Sequence, residues 1–342
     1  MITQKRVRLG AVALAALLAT VQSAQAQEAR TLKFAHVFPA THWHWTESVK
    51  IFQESVTKYT GGKIQWQSYH SGQLGKEGVG MLASGIADVA ILVPSYEPAK
   101  LPLTSVAELP GLHTTSCEGT AKLWNLLKDG GALNNAEYKP QGIKLLYAIV
   151  LAPYQVLTTG KKVATLADIA GLKIRANGAA MDKTVRALGA TPVRVTSNEL
   201  YDALTRGTVD GGFWPIGSTR NSSLENTFKF TVQGPMLGGG STVYGISQKV
   251  WDGLGADVQA AMLKAGAETQ QRLCRYLDRA DEEETAWLVK EKKFTVTKLP
   301  ATELAKWNER VQPIAAEWAK EMDSTGRPGS ALLKAYRESS GL

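Results

Sequence analysis

Arg175 ends the run Gly171-Leu172-Lys173-Ile174-Arg175, in which apolar and basic residues alternate before a turn at Gly178. Arginine offers a planar fork of N–H donors that can hold both oxygens of a carboxylate, and it stays charged at any relevant pH. At the carboxyl end of a strand in an open α/β sheet, a side chain can reach a crevice without being buried, and ligands bind there. The chemistry expected at Arg175 is therefore the capture of a small carboxylate.

The other reactive side chains point less clearly. His36, His42 and His44 lie close together in the chain. His42 and His44 are two apart, which puts them on different faces of a helix, so they read as ordinary polar residues and no metal is expected. Cys117 and Cys274 are too far apart in sequence to suggest a metal site. In an oxidising compartment they could pair, but spacing does not show that their Cα atoms approach, and buried core thiols are the simpler reading. No P-loop, HExxH, GxSxG, paired CxxC or GxGxxG pattern is present, so hydrolytic and redox chemistry lack a nucleophile or a cofactor cradle. No cofactor is expected. Glu77 or His44 acting as an acid or base remains the enzymatic alternative, because such sites have no sequence signature.

The elements that must hold these residues alternate in type. Thr31 to Val37 reads as a strand, Trp43 to Tyr59 as an amphipathic helix, and Lys63 to Tyr69 as a second strand. A short helix to Ser84 and the apolar strand Asp88 to Val93 complete a β-α-β-α-β unit, and the last strand is apolar enough to be buried on both faces. A helix from Cys117 to Leu127 and a strand from Ile143 to Leu151 follow, with the crossing into a second domain near Pro153. Gly171 to Pro215 reads as strand, helix, strand, helix, strand. Val243 to Ser247 reads as a strand returning to the first sheet, and the pattern is helical from Asp257 onward. Phe294 to Lys298 is a short strand, and one last helix is expected from Leu304 to Met322, with Trp307 and Trp318 as packing residues.

Length and charge agree with this outline. Lys5, Arg6 and Arg8, the apolar run Ala11 to Val21 and Ala24-Gln25-Ala26 form a secretory signal pattern, so residues 1–26 are expected to be removed. The remaining 36 basic and 31 acidic residues leave a balance of +5, with no basic stripe and no aromatic platform for nucleic acid.

Short runs in order carry a family resemblance. They are Ser71-Gly72-Gln73-Leu74-Gly75, Gly85-Ile86-Ala87-Asp88, the stretch from Leu166-Ala167-Asp168 to Arg175, and Leu188-Gly189-Ala190-Thr191-Pro192. Glu199 to Leu204 and Gly207-Thr208-Val209-Asp210-Gly211 complete the set. Through them the chain resembles the DctP-type solute-binding proteins of tripartite ATP-independent periplasmic (TRAP) transporters. The resemblance implies an α/β, two-lobed periplasmic-binding-protein-like fold. Each lobe would be a doubly wound sheet flanked by helices, with a long helix spanning both. It places lobe I at 27–152 plus 242–278 and lobe II at 153–241 plus 279–342. It further implies a periplasmic protein that closes on a small organic carboxylate and delivers it to the TRAP membrane permease, without chemistry on the ligand. A monomer is expected, and a ligand receptor serving signalling is the alternative on the same scaffold.

Arg175 falls on that family's carboxylate-binding arginine. Two positions depart from its usual pattern. Tyr154 stands where many members, notably sialic-acid binders, carry a second arginine, and Trp214 stands where a ligand-bonding asparagine is usual. Trading a cation and an amide for a phenol and an indole removes charge recognition and adds flat apolar area. A monocarboxylate with an aromatic or apolar body is therefore expected over a four-carbon dicarboxylate. Tyr96, Trp43, His44 and Ser197 are further candidate wall residues, Ser197 with the alternative of a helix cap. Glu77, beside the Gly72–Gly75 loop, completes the candidate set.

Overall fold

The structure, a computed structural model, describes residues 29–340, so the expected signal segment 1–26 lies outside the described residues. Eleven strands form two mixed sheets among the described residues. The first contains β1 (Arg30–Ala35), β2 (Ile64–Tyr69), β3 (Val89–Leu92), β4 (Ile143–Val150) and β10 (Ser241–Ser247), in the order β2-β1-β3-β10-β4. Here β1 runs parallel to β2 and β3, while β10 is antiparallel to both its neighbours. β10 is thus the returning strand expected from Val243 to Ser247.

The second sheet has the order β11-β9-β5-β8-β6-β7. Its strands are β5 (Gln155–Thr158), β6 (Lys173–Ala176), β7 (Thr191–Arg194), β8 (Gly211–Trp214), β9 (Phe230–Gln233) and β11 (Thr295–Lys298). β6 pairs in parallel with β7 and β8, as the 171–215 pattern requires. All four residues of β3 and of β8 are buried, which is why both read as continuous apolar or glycine runs instead of alternating ones.

Three passages connect the sheets. β4 runs on into β5 through Leu151–Tyr154, and β9 returns to β10 through the glycine-rich segment 234–240. These two crossings bind each other, Leu151 N–H to Gly240 O at 2.9 Å and Tyr154 N–H to Gly238 O at 2.7 Å. The third passage is the helix Ala256–Lys292, 37 residues and so about 55 Å long. Val258, Met262 and Ala265 pack in one aromatic core with Phe34, Phe52 and Tyr147. Near its other end, Leu288 packs with Trp214, Phe228 and Phe294 under the second sheet.

Two expectations are corrected. The final helix does not run from Leu304 to Met322. It breaks into Ala301–Val311 and Ile314–Ser324, because Pro313 supplies no N–H and clashes with the preceding turn. A further helix, Gly329–Glu338, then packs against the helix Ser116–Leu127 beside the first sheet. Trp307 and Trp318 are buried, as packing residues should be. The two cysteines are not separate core thiols. Cys117 and Cys274 form a disulfide with Cα atoms 4.7 Å apart, joining the helix Ser116–Leu127 to the middle of the long helix. Asp278, one turn further along, accepts hydrogen bonds from Ser116 N–H and Cys117 N–H at the start of the same shorter helix.

Candidate functional site

The carboxyl ends of the strands converge on the seam between the sheets, where a cavity of about 30 Å³ lies. β1 delivers Phe38 and the turn His42-Trp43-His44, β3 delivers Val93 and Tyr96, and β6 delivers Asn177. Ser197 follows β7, while Trp214 and Pro215 end β8, and Ser218 follows them. Leu151, Tyr154 and Gly240 from the two crossings, with Ser241 and Thr242 at the start of β10, complete the wall. Among these lining residues there is no Lys, Arg, Asp or Glu. Six of the eight candidate residues thus share one cavity: Trp43, His44, Tyr96, Tyr154, Ser197 and Trp214.

Arg175 stands one layer behind that wall. It was expected to reach the crevice unburied, yet it is only 1% exposed. The Trp214 ring, whose centroid is 5.2 Å from the guanidinium carbon, covers it. Its Nε–H donates to Val195 O at 3.0 Å, Nη1 to Phe213 O at 3.1 Å, and Nη2 weakly to Ser197 Oγ at 3.4 Å. A guanidinium has five N–H groups, so one on each terminal nitrogen remains beyond these three bonds. All three acceptors are neutral, and no carboxylate of the described residues forms an ion pair with Arg175. Burial therefore pulls the arginine's pKa below its ordinary value.

Ser197 is not the helix cap. Thr196 takes that role in a reciprocal capping box with Glu199, which leaves the Ser197 hydroxyl to meet Arg175 and the Tyr96 hydroxyl at 3.1 Å. Tyr154 is fully buried, with its hydroxyl against the backbone of Gly240, where a Cβ would come within 2.4 Å of the oxygen. Burial raises its pKa, so the phenol keeps its proton. Trp214 is both core and wall. It is 2% exposed and belongs to the second-sheet core, yet its Nε1 has no hydrogen-bond partner.

Glu77 does not belong to the site. Its side chain is 63% exposed and forms an ion pair with Lys100 at 2.6 Å on the outer surface. The glycine-rich loop that suggested it does reach the seam, where Ser71 and Gly72 line a smaller cavity with Tyr96 and Asn198 and Lys76 pairs with Glu199 at 3.7 Å, but the Glu77 side chain is turned to Lys100. Sequence reasoning passed over Asn177, Ser218 and Thr242. Asn177 was recoverable, since it lies two residues beyond Arg175 at the same strand end. Ser218 lies in the short helical turn after β8 and Thr242 is the second residue of β10, and neither carries a local signal.

The lobes are closed. Across the seam, Trp43 Nε1–H donates to Ser218 Oγ at 2.8 Å, Asn177 to Ser95 Oγ at 3.2 Å, and Asn198 to Val37 O at 3.2 Å. A cavity of this size holds about two waters. An organic acid must therefore enter while the lobes stand apart and shift the wall rings as they close.

The family model for DctP, bacterial extracellular solute-binding protein family 7, matches residues 34–321. The chain belongs to this family. It is thus a DctP-family TRAP transporter solute-binding protein of the periplasm. Among curated relatives, the C4-dicarboxylate-binding periplasmic protein DctP of Rhodobacter capsulatus is 27% identical over 92% of this chain and 94% of its own length. The fold matches a TRAP solute-binding protein of Rhodoferax ferrireducens, solved with copurified benzoate. That match has a TM-score of 0.81 and 24% identity over 90% of this chain and 96% of that one. It equally matches one from Bordetella bronchiseptica with bound (R)- and (S)-mandelate, TM-score 0.81 and 23% identity, over 91% and 98% of the two chains.

Proposed function

We infer that this DctP-family protein is a receptor for a small organic monocarboxylate with an aromatic or apolar body. It closes on that ligand between its lobes and hands it, chemically unchanged, to a TRAP membrane permease. One observation carries the reading: Arg175 is a buried cation with no acidic partner among the described residues. A buried charge without a counter-ion costs several kcal/mol, and a ligand carboxylate recovers much of that cost. Opening the cleft and displacing the 3.4 Å contact to Ser197 would present the terminal N–H groups to both carboxylate oxygens. Trp43, Tyr96, Tyr154 and Trp214 would enclose the ligand body.

No other Lys or Arg of the described residues is buried beside Arg175 and none lines the cavity, which weighs against a second carboxylate. The structurally similar proteins holding benzoate and mandelate support an aromatic body. The name of the Rhodobacter relative favours a four-carbon diacid instead. In closure, the lobe built on the first sheet moves against the lobe built on the second, ligand contacts to both lobes favour the closed population, and the protein works as a monomer.

A thermal-shift screen of benzoate, mandelate, phenylacetate, succinate and malate tests the choice. Stabilisation by the aromatic monocarboxylates is expected. Stabilisation by succinate or malate alone would refute it.

A further inference from the structure

The wall contains a hydrogen-bond acceptor that the carboxylate cannot use. His44 is 4% exposed and stacked between two rings, with its centroid 4.1 Å from Phe38 and 3.6 Å from Trp43. Its tautomer follows from its neighbours. His42 Nδ1 accepts the His44 backbone N–H at 3.2 Å, so that nitrogen carries a lone pair and no proton. His44 Nδ1 lies 3.1 Å from the same atom, so the proton of that contact must sit on His44 Nδ1. Burial, with His42 and His36 nearby, holds His44 neutral, far below the ordinary histidine value. Its Nε2 is then a bare acceptor, buried and without a partner. Such an acceptor is costly to leave unpaired, and a carboxylate, being acceptor-only when ionised, would repel it.

On the other lobe, Trp214 lines the same cavity, and its buried Nε1–H is a donor without a partner. A ligand hydroxyl has both capacities, a proton to donate to an acceptor such as His44 Nε2 and lone pairs for a donor such as the Trp214 Nε1–H.

We propose that His44 is a specificity-determining residue, and that the preferred ligand is a monocarboxylate whose body carries a hydroxyl donated to His44 Nε2. This deepens the monocarboxylate reading and rests on it. Fluorine has nearly the size of a hydroxyl but no proton, so matched acids isolate the donor.

The test is calorimetric titration of the protein with the 2-, 3- and 4-hydroxybenzoates against the corresponding fluorobenzoates, and mandelate against phenylacetate. At one position or more, the hydroxy acid should bind about 10- to 100-fold tighter than its partner. In His44→Phe, which keeps a ring in the stack and removes both nitrogens, that ratio should fall to about one. A merely structural histidine would weaken both acids alike and leave the ratio intact. Equal affinities throughout the matched wild-type pairs would overturn the role of His44 even if the variant failed to fold. If neither series binds at all, the monocarboxylate reading itself falls and takes this proposal with it.

Discussion

Replacing Arg175 with methionine should abolish tight binding while leaving the stability of the ligand-free protein nearly unchanged. The guanidinium makes three bonds to neutral acceptors, at 3.0, 3.1 and 3.4 Å, and is buried without an acidic partner among the described residues. A bidentate carboxylate would add two charge-assisted bonds, each contributing about 1.5–3 kcal/mol. Even the lower figure for the pair, about 3 kcal/mol, corresponds to more than a 100-fold loss of affinity. Stability follows a separate balance. Met removes a desolvation cost of several kcal/mol, while unpairing Val195 O and Phe213 O costs about 1–3 kcal/mol each. The ligand-free Arg175→Met protein should therefore unfold at or near the wild-type temperature, yet show no stabilisation by an aromatic monocarboxylate. Arg175→Lys keeps a charge and loses the fork, so its affinity should fall to an intermediate value. Scanning calorimetry without ligand and titration calorimetry with it read the two effects separately. The reasoning fails if Arg175→Met binds within about threefold of wild type, or if the ligand-free variant loses more than about 4 kcal/mol. The second result would mark a structural arginine.

Closure offers an independent perturbation. Gly178 has extended backbone, φ −173°, but a Cβ there would meet Ser95 Cβ of the opposite lobe at 2.8 Å. Gly178→Ala should fold normally and bind at least about 10-fold more weakly, with small-angle scattering showing incomplete compaction on ligand addition. Ser218→Ala removes the partner of Trp43 and should cost about 1 kcal/mol of binding, near fivefold, by calorimetry. The Cys117–Cys274 bond closes a separation of 157 residues, so the double serine variant should lose up to about 5 kcal/mol in urea unfolding. Ligand affinity should change little, since neither cysteine lines the cavity. Burial lowers the His36 pKa to about 4, with a nearby His70 adding to the shift and the bond to Phe38 O opposing it. Between pH 4 and 6.5 the unfolded chain binds the extra proton, so stability should fall as pH drops through that window, by up to about 3 kcal/mol from this ring. His36→Asn should show a shallower slope over the same range in urea titrations, and an unchanged slope would refute the assignment.

Local pattern made most of the fold legible. The alternation in Leu172–Arg175 and the apolar run of β3 each record a sheet environment directly, and the return of β10 was visible as a short β-branched and aromatic run. The break at Pro313 was also written in the chain, since proline ends a helix, but the tryptophans spaced on either side suggested one continuous face. The disulfide was not legible, because pairing depends on how the long helix crosses Ser116–Leu127. Strand-end position pointed to Arg175 and Tyr96, the start of the helix after the first strand to Trp43 and His44, and the family resemblance to Trp214; all but Arg175 line the cavity. Burial of Arg175 was missed because Val195, Ser197, Phe213 and Trp214 enclose it from neighbouring strand ends of the same sheet, which no single strand encodes. Glu77 was misplaced for a related reason: its loop lies near the site in sequence pattern, while its side chain faces Lys100 and solvent. Ser218 and Thr242 join the wall only through tertiary arrangement.

Whether Arg175 recognises charge can be measured with one matched pair of ligands. An aromatic monocarboxylate and its primary amide share shape and body, and differ in the charge presented to the guanidinium. Titration calorimetry of the wild-type protein at neutral pH should show the acid binding at least about 100-fold tighter than the amide. An amide that binds as tightly as the acid would contradict the claim that a buried, unpaired Arg175 is the carboxylate anchor.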